Sequence, residues 1–556
     1  MKPAIVFRVA TVLLTASILL AGCNLPAAGL AAYADFRSTK TPFQPDASSD
    51  DSTSTIEKGD SAETDAATLW ISPALPAALR AQIALPDGQE EVTDRENSSA
   101  QIAIAQGETV GQWVYALVAP FPTVVDAVTI NDLLSAWQGR ASGAFAGLPL
   151  LVSPETRTLF SAWWGDPATG AVEVHSASKL LDASWAAQPS WAIVPFEELQ
   201  PKWKVLAVDG QSPLFKDFEP SEYELSVPIG LSGEGIDITA FNISNRDANK
   251  LTTVVITGVT ALVRATAYEM NRSGVTYPAE DIGEFMRAAD ITHISNEVPF
   301  WNDCPAPDPV QRNLVFCSDP SYYALLEEVG TDVVELTGDH FNDYGRDAMT
   351  YTLDIYDDHN LPYYGGGRNL EEARAPLFIE HNGNRIAFIG CNGKGGGYAT
   401  AAADYPGAVA CDYEYLEQEI ARLHDEGYLV ITTFQHNEVY TFIPQPGLIR
   451  DFGRVAVAGS SIVSGSQAHQ SHGMQFTDDD TLITYGLGNL FFDQRGVVEN
   501  GDSALIARHI FYDNRYISTE LFTIIFVDFA KPIFMSPEDR SAFLTTIFGA
   551  SIFDTQ

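Results

Sequence analysis

Positive charge is scarce in this sequence. The 556 residues include 32 Lys and Arg against 73 Asp and Glu, a formal net charge of −41. A surface of that sign repels nucleic acid and bare anionic lipid, so no nucleic-acid partner is expected. Cysteine is also rare. There are five, none in a C-x-x-C pair, which argues against a structural zinc site. After the first two dozen residues no run approaches the roughly 20 apolar residues of a membrane helix. The glycine runs at 365–367 and 395–397 lack the P-loop spacing with Lys-Ser/Thr and read as turns. No G-x-S-x-G follows a strand pattern. "SGSQAHQSHG" has Ser and His but no sign of an orienting acid, so a serine triad is not expected.

What is present begins with Lys2, Arg8 and the apolar run "VATVLLTASILLAGC". The run is too short to span comfortably and reads as a signal peptide. It ends in Leu20-Ala21-Gly22-Cys23, which resembles a bacterial lipobox. That resemblance implies cleavage before Cys23 and acylation of its thiol. Residues 1–23 are then a lipoprotein signal peptide, and the mature chain is lipid-anchored at the extracytoplasmic face of the cell membrane. Residues 24–67 are rich in Asp, Ser and Thr and poor in large apolar side chains, so a disordered tether is expected. The other cysteines fall in two local pairs. An oxidising compartment permits Cys304–Cys317 and Cys391–Cys411 bridges, and the other two connectivities stay open.

A single core stops growing near 250–300 residues, so more than one folded module is expected. Residues 68–245 alternate strand and helix patterns. "TINDLLSAWQG" and "ETRTLFSAWWG" read as helices, and "WAIVPFEELQPKWKVLAVDGQSP" as strand, turn and strand. This α/β module resembles, in element order and in such phrases, one lobe of periplasmic solute-binding proteins of the phosphate-binding type. No site residue carries over.

A second α/β region covers 250–500, with 501–556 completing it. "TTVVITGV", "ITHISNEVPF", "NRIAFIGCN" and "EGYLVITTFQHNEVY" each read as a strand running into a polar loop. "RVAVAGSSIVSGSQAHQ" and "TLITYGLGNLFFDQ" read as two more strand-to-loop units. Ligands of open α/β sheets bind at the carboxyl ends of strands. Those ends supply Glu297, then Asp339 and His340 from "TGDHFNDYG", then His436 and Glu438, then His469. Three imidazoles and several carboxylates from separate strand ends suit one divalent metal or a pair.

Seven blocks occur in one order. They are Gly258-Val259, Ser295-Asn296-Glu297, Gly338-Asp339-His340 with Asp343-Tyr344-Gly345, Gly365-Gly366-Gly367-Arg368-Asn369, His436-Asn437-Glu438-Val439-Tyr440, Gly465-Ser466-Gln467-Ala468-His469, and Tyr485-Gly486-Leu487-Gly488-Asn489 through Gln494. In this order they resemble the CapA family of capsule and poly-γ-glutamate synthesis proteins. The resemblance implies a calcineurin-like α/β/β/α sandwich preceded by the smaller α/β module. It implies a role in making or exporting a capsule or poly-γ-glutamate type polymer, with an extracellular anionic polymer or a phosphorylated small molecule as partner. The activity implied is a metal-dependent, phosphoesterase-like hydrolysis, and the alternative is a non-catalytic binding lipoprotein that keeps the fold. Glu297, Asp339, His436 and His469 would be metal ligands and His340 the general acid. Two family ligands are missing: the first-strand Asp falls on Val259, and the first His of Gly-x-His-x-His on Gln467. One divalent ion is therefore expected rather than two. Anchoring is tested by Cys23→Ser. Detergent-phase partitioning should move the variant from the membrane fraction to the soluble one, and an unchanged distribution would sink the lipoprotein reading.

Overall fold

The computed structural model describes residues 67–553, apart from 86–88, 238–240, 395–396, 398 and 495–499. The signal peptide, Cys23 and all but the last residue of the tether lie outside the described residues. Among the described residues no helix is long and apolar enough to cross a membrane.

The β-branched run from Thr252 to Thr257 has no polar–apolar alternation. Such a run needs cover on both faces. It forms β1 (Leu251–Thr260), buried at all ten positions. Beside it lie β2 (Ile291–Asn296) and β3 (Val333–Glu335), paired in parallel. A second sheet holds β4 (Asn384–Asn392), β5 (Leu429–Gln435), β6 (Ser460–Ser464) and β7 (Leu482–Thr484), again parallel. The chain then returns to the first sheet. β8 (Asn489–Phe491) pairs with the end of β1, and the long hairpin of β9 (Ser503–Tyr512) and β10 (Arg515–Phe526) extends that sheet past β1's other edge.

Alternation along each strand sets the layers. Val254 and Ile256 of β1 meet Phe388, Ile431 and Ile462 of the second sheet, so one core lies between the sheets. Val255 faces the other way. It packs with Met270 of α1 (Arg264–Ser273), Leu325 of α2 (Tyr323–Glu328) and Leu353 of α3 (Arg346–Asp358). On the far side of the second sheet, Val430 and Val463 pack on Leu416 and Ile420 of α4 (Tyr413–Asp425) and on Phe452 and Val455 of α5 (Pro446–Val457). The result is the expected α/β/β/α sandwich. One local reading changes. "RVAV" reads in sequence as the opening of a strand, but Arg454–Val457 is the last turn of α5, and the strand begins only at Ser460. Pro446 at the helix start, with Leu448, Phe452 and Val455 buried on one face, outweighs the β-branched pair.

The preceding module is built on an 11-stranded sheet around the long strand Glu108–Pro120, with Trp113, Trp137 and Trp203 fully buried. Its core runs on into the sandwich through Leu251, Ile510 and Tyr512. Phe121 sits edge-on to Phe476, and Arg540 grips Asp126 with two hydrogen bonds of 2.7 Å.

Of the three cysteine pairings the sequence left open, the structure has Cys304–Cys317 and Cys391–Cys411, with Cα separations of 5.8 and 5.0 Å. They close loops of 13 and 20 residues, and chain entropy gives each about 3 kcal/mol. Peptide mapping without reductant should recover both linked pairs. Reduction should lower the unfolding free energy by about 3 kcal/mol per bridge, and four free thiols in the exported protein would refute both.

Candidate functional site

The site lies where β1 to β6 end. Glu297 follows β2 and is 1% exposed. Its Oε1 accepts a hydrogen bond from Gln435 Nε2 at 3.2 Å, while Oε2 is buried and has no partner among the described residues. Burial pushes the Glu297 carboxyl up, against the pull of His469 and His340. The loop after β3 brings Asp339 alongside. Gly338 permits this, because a Cβ there would lie 2.7 Å from the Glu297 carbonyl oxygen. Gln435 Nε2 also donates to Asp339 Oδ1 at 2.7 Å, so one amide ties the two carboxylates together.

His340 sits over the same group. Its Nδ1 is 2.7 Å from Asp343 Oδ2, and its ring lies 4.9 Å from that of Phe316. Asp343 also accepts from the Phe316 amide, which fixes the carboxylate that orients the imidazole. Nε2 is left facing inward, 3.9 Å from Asp339 Oδ1. Burial depresses the His340 pKa, but the Asp343 hydrogen bond and the Glu297 charge outweigh it and carry it to about 9. One ligand atom each from Glu297, Asp339 and His340 lie within 4.8 Å of one another, a group able to hold a metal ion.

The other expected residues divide. His469 reaches the site. Its Nδ1 is 3.0 Å from Asn489 Oδ1, and Nε2 lies 3.8 Å from both Glu297 Oε1 and Glu438 Oε1. His436 points away. Its Nε2 pairs with Asp451 of α5 at 2.9 Å, and Nδ1 is buried without a partner among the described residues. Val259 belongs to a small apolar cluster with Ala261, Val263, Val298, Phe316 and Phe492, so the position of the family's aspartate is dry. Gln467 is fully buried, and neither its amide nitrogen nor its oxygen has a partner among the described residues.

Lys394 is the residue that sequence reasoning missed. Its ammonium lies 2.8 Å from Asp339 Oδ2 and 2.6 Å from Glu438 Oε1. Burial raises Asp339 and Glu438, yet both end up depressed. Lys394 outweighs burial at Asp339, while His469 and Lys394 together bring Glu438 to about 2. The usable signal was a lone lysine directly after a buried strand in "CNGKGGG". A glycine-rich context made it read as a turn. Arg264 is a second omission. At φ +48° it starts α1 and directs its guanidinium to the Asp493 backbone carbonyl. That guanidinium also lies over the rings of Phe316 and Phe492 beside the site.

The residues gathered here fit a divalent ion. The buried orphan Oε2 of Glu297, the Nε2 of His469 and a carboxylate oxygen of Asp339 could serve as its ligands. Val259 offers no ligand atom and Gln467 only an amide.

The family of bacterial capsule synthesis protein PGA_cap matches residues 253–494. Capsule biosynthesis protein CapA of Bacillus anthracis is 25% identical over 275 residues, 48% of this chain and 66% of its own length. PGA biosynthesis protein CapA of Bacillus subtilis (strain 168) is 27% identical over 187 residues, 34% of this chain and 49% of its own length. The chain thus spans about half to two thirds of the length of these curated relatives. Among solved structures, a 5'-nucleotidase precursor from Thermus thermophilus is 12% identical, covering 54% of this chain and 58% of that one at a TM-score of 0.31. Residues 253–494, which hold the strand-end site, thus match the family of bacterial capsule synthesis protein PGA_cap and resemble the two CapA proteins.

Proposed function

We propose that this protein takes part in making or exporting an extracellular anionic polymer of the capsule or poly-γ-glutamate kind. It would work at the extracytoplasmic face of a membrane, held there by a lipid on Cys23. The observation that carries the reading is the family match over 253–494, which spans every strand end of the site. Both relatives are named for capsule or PGA biosynthesis. Two disulfides agree with an oxidising, extracytoplasmic setting.

The chemistry proposed is hydrolysis or transfer at a phosphoester of a polymer precursor. Glu297, His469 and Asp339 would hold one divalent ion. Such an ion, when bound, polarises a phosphoryl oxygen and makes water a better nucleophile. His340 supplies the proton. Asp343 fixes Nδ1, so the ring can turn only its Nε2–H to a leaving oxygen. Phe316 and Phe492 flank His340 and His469 and keep that side of the site dry. A second reading, a binding protein without turnover, draws support from one observation: Val259 sits in a closed apolar cluster where the family has an acid.

Complementation of a strain lacking the protein tests both readings. Wild type should restore surface polymer, and Glu297→Gln and His340→Ala should not. With purified protein and a bis-aryl phosphodiester, His340→Ala should lose about 100-fold or more in kcat. Full restoration of polymer by both variants would sink the site reading. Restoration by wild type with no hydrolysis by any form would favour the binding reading.

A further inference from the structure

Lys394 is too well placed for a surface lysine. Its side chain is 20% exposed and joins two carboxylates that come from different strand ends, Asp339 after β3 and Glu438 after β5. The loop that carries it is fixed on three sides. Its own backbone N–H donates to Asn392 Oδ1 at 2.9 Å. The Asn392 amide in turn donates to the Thr337 carbonyl, at the start of the Asp339 loop, and to Gln435 Oε1. The Cys391–Cys411 bridge ties down the strand end just before it. Gln435 closes the circuit by donating to Asp339 and Glu297.

The charge arithmetic explains the arrangement. Glu297, Asp339 and Glu438 put three carboxylates into one half-closed space. Buried carboxylates without a cation are strongly unfavourable. An ion bridging the ends of β3 and β5 would neutralise two of them, and Lys394 already does so. His436, the other donor at the end of β5, pairs its Nε2 with Asp451. We propose that the Lys394 ammonium is a resident cation of this site. It occupies the place between Asp339 and Glu438 that a further cation would otherwise take, and it limits the centre to one exchangeable metal. The inference rests on the one-ion reading given above, but its test does not depend on it.

A consequence concerns the ligand. An ammonium has three N–H donors. Asp339 and Glu438 take two. The third has no partner among the described residues and is open to an anionic oxygen of a bound phosphoryl or carboxylate group. Lysine then serves as a point-charge donor, without the Lewis acidity of a metal.

Metal stoichiometry on the purified full-length protein decides the matter. The protein is loaded with Mn²⁺, desalted and assayed for bound ion and chain. Wild type should carry one ion per chain, Lys394→Met two, and Lys394→Arg, which keeps the charge, one. If wild type carries none, the one-ion reading fails by itself, and a gain from none to one in Lys394→Met still supports the resident ammonium. Equal stoichiometry in wild type and Lys394→Met, or two ions in wild type, would overturn it. If Lys394→Met does not fold, amine acylation of the native protein with and without saturating Mn²⁺ gives the answer. Lys394 should stay protected in both states, and its exposure by Mn²⁺ would mean that the metal takes its place.

Discussion

A carboxylate enclosed between two sheets must have positive or donating partners close by, and the site follows from that constraint. Glu297 stands at the end of a central strand and is almost wholly buried. Everything around it compensates. Gln435 donates to it, the imidazoles of His469 and His340 stand close to it, and the Asp339–Lys394–Glu438 chain adds an ammonium one step further out. These groups come from several different strand ends. The site therefore exists only when both sheets are assembled and in register, and it couples chemistry directly to the packing of the sandwich.

The same constraint explains the apolar side. With no ligand duty at position 259, a charged side chain there would be a second buried anion beside Glu297. Val259 removes that load and joins Phe316 and Phe492, which are also the rings that flank His340 and His469. Losing a ligand and gaining a hydrophobic wall are then one change, and the imidazoles are held by packing on one side and by hydrogen bonds on the other.

How much of this was legible from the chain depends on what sets each feature. Unbroken β-branched runs such as "TTVVIT" need burial on both faces, so the parallel strands and their polar exits can be read directly. Glu297, Asp339, His340 and His469 follow, because a polar residue at a buried strand's end has few other places to go. His436 reads as a partner of that group on the same grounds, and what the sequence does not show is that Asp451, 15 residues on in a helix, holds its Nε2. Helix orientation is a tertiary fact that no local pattern carries. Lys394 escapes for the opposite reason. A lysine among glycines looks solvated, and only the folded loop, with Asn392 bridging to Thr337 and Gln435, turns it inward.

Net charge sets the last condition on function. The chain carries −41, and the polymer proposed for it is itself anionic. Long-range attraction cannot bring the two together, since the overall field repels. Contact must then depend on local cations that are screened from that field by burial and short range: Lys394, His340 and Arg264, all within one strand-end cluster, with any bound divalent ion adding to them. Screening by salt weakens the repulsion between exposed charges more than it weakens buried pairs. An acidic protein can therefore hold an acidic ligand when its few cations are gathered in one recess rather than spread over its surface, and this fold places them there because its parallel strands all end on the same side.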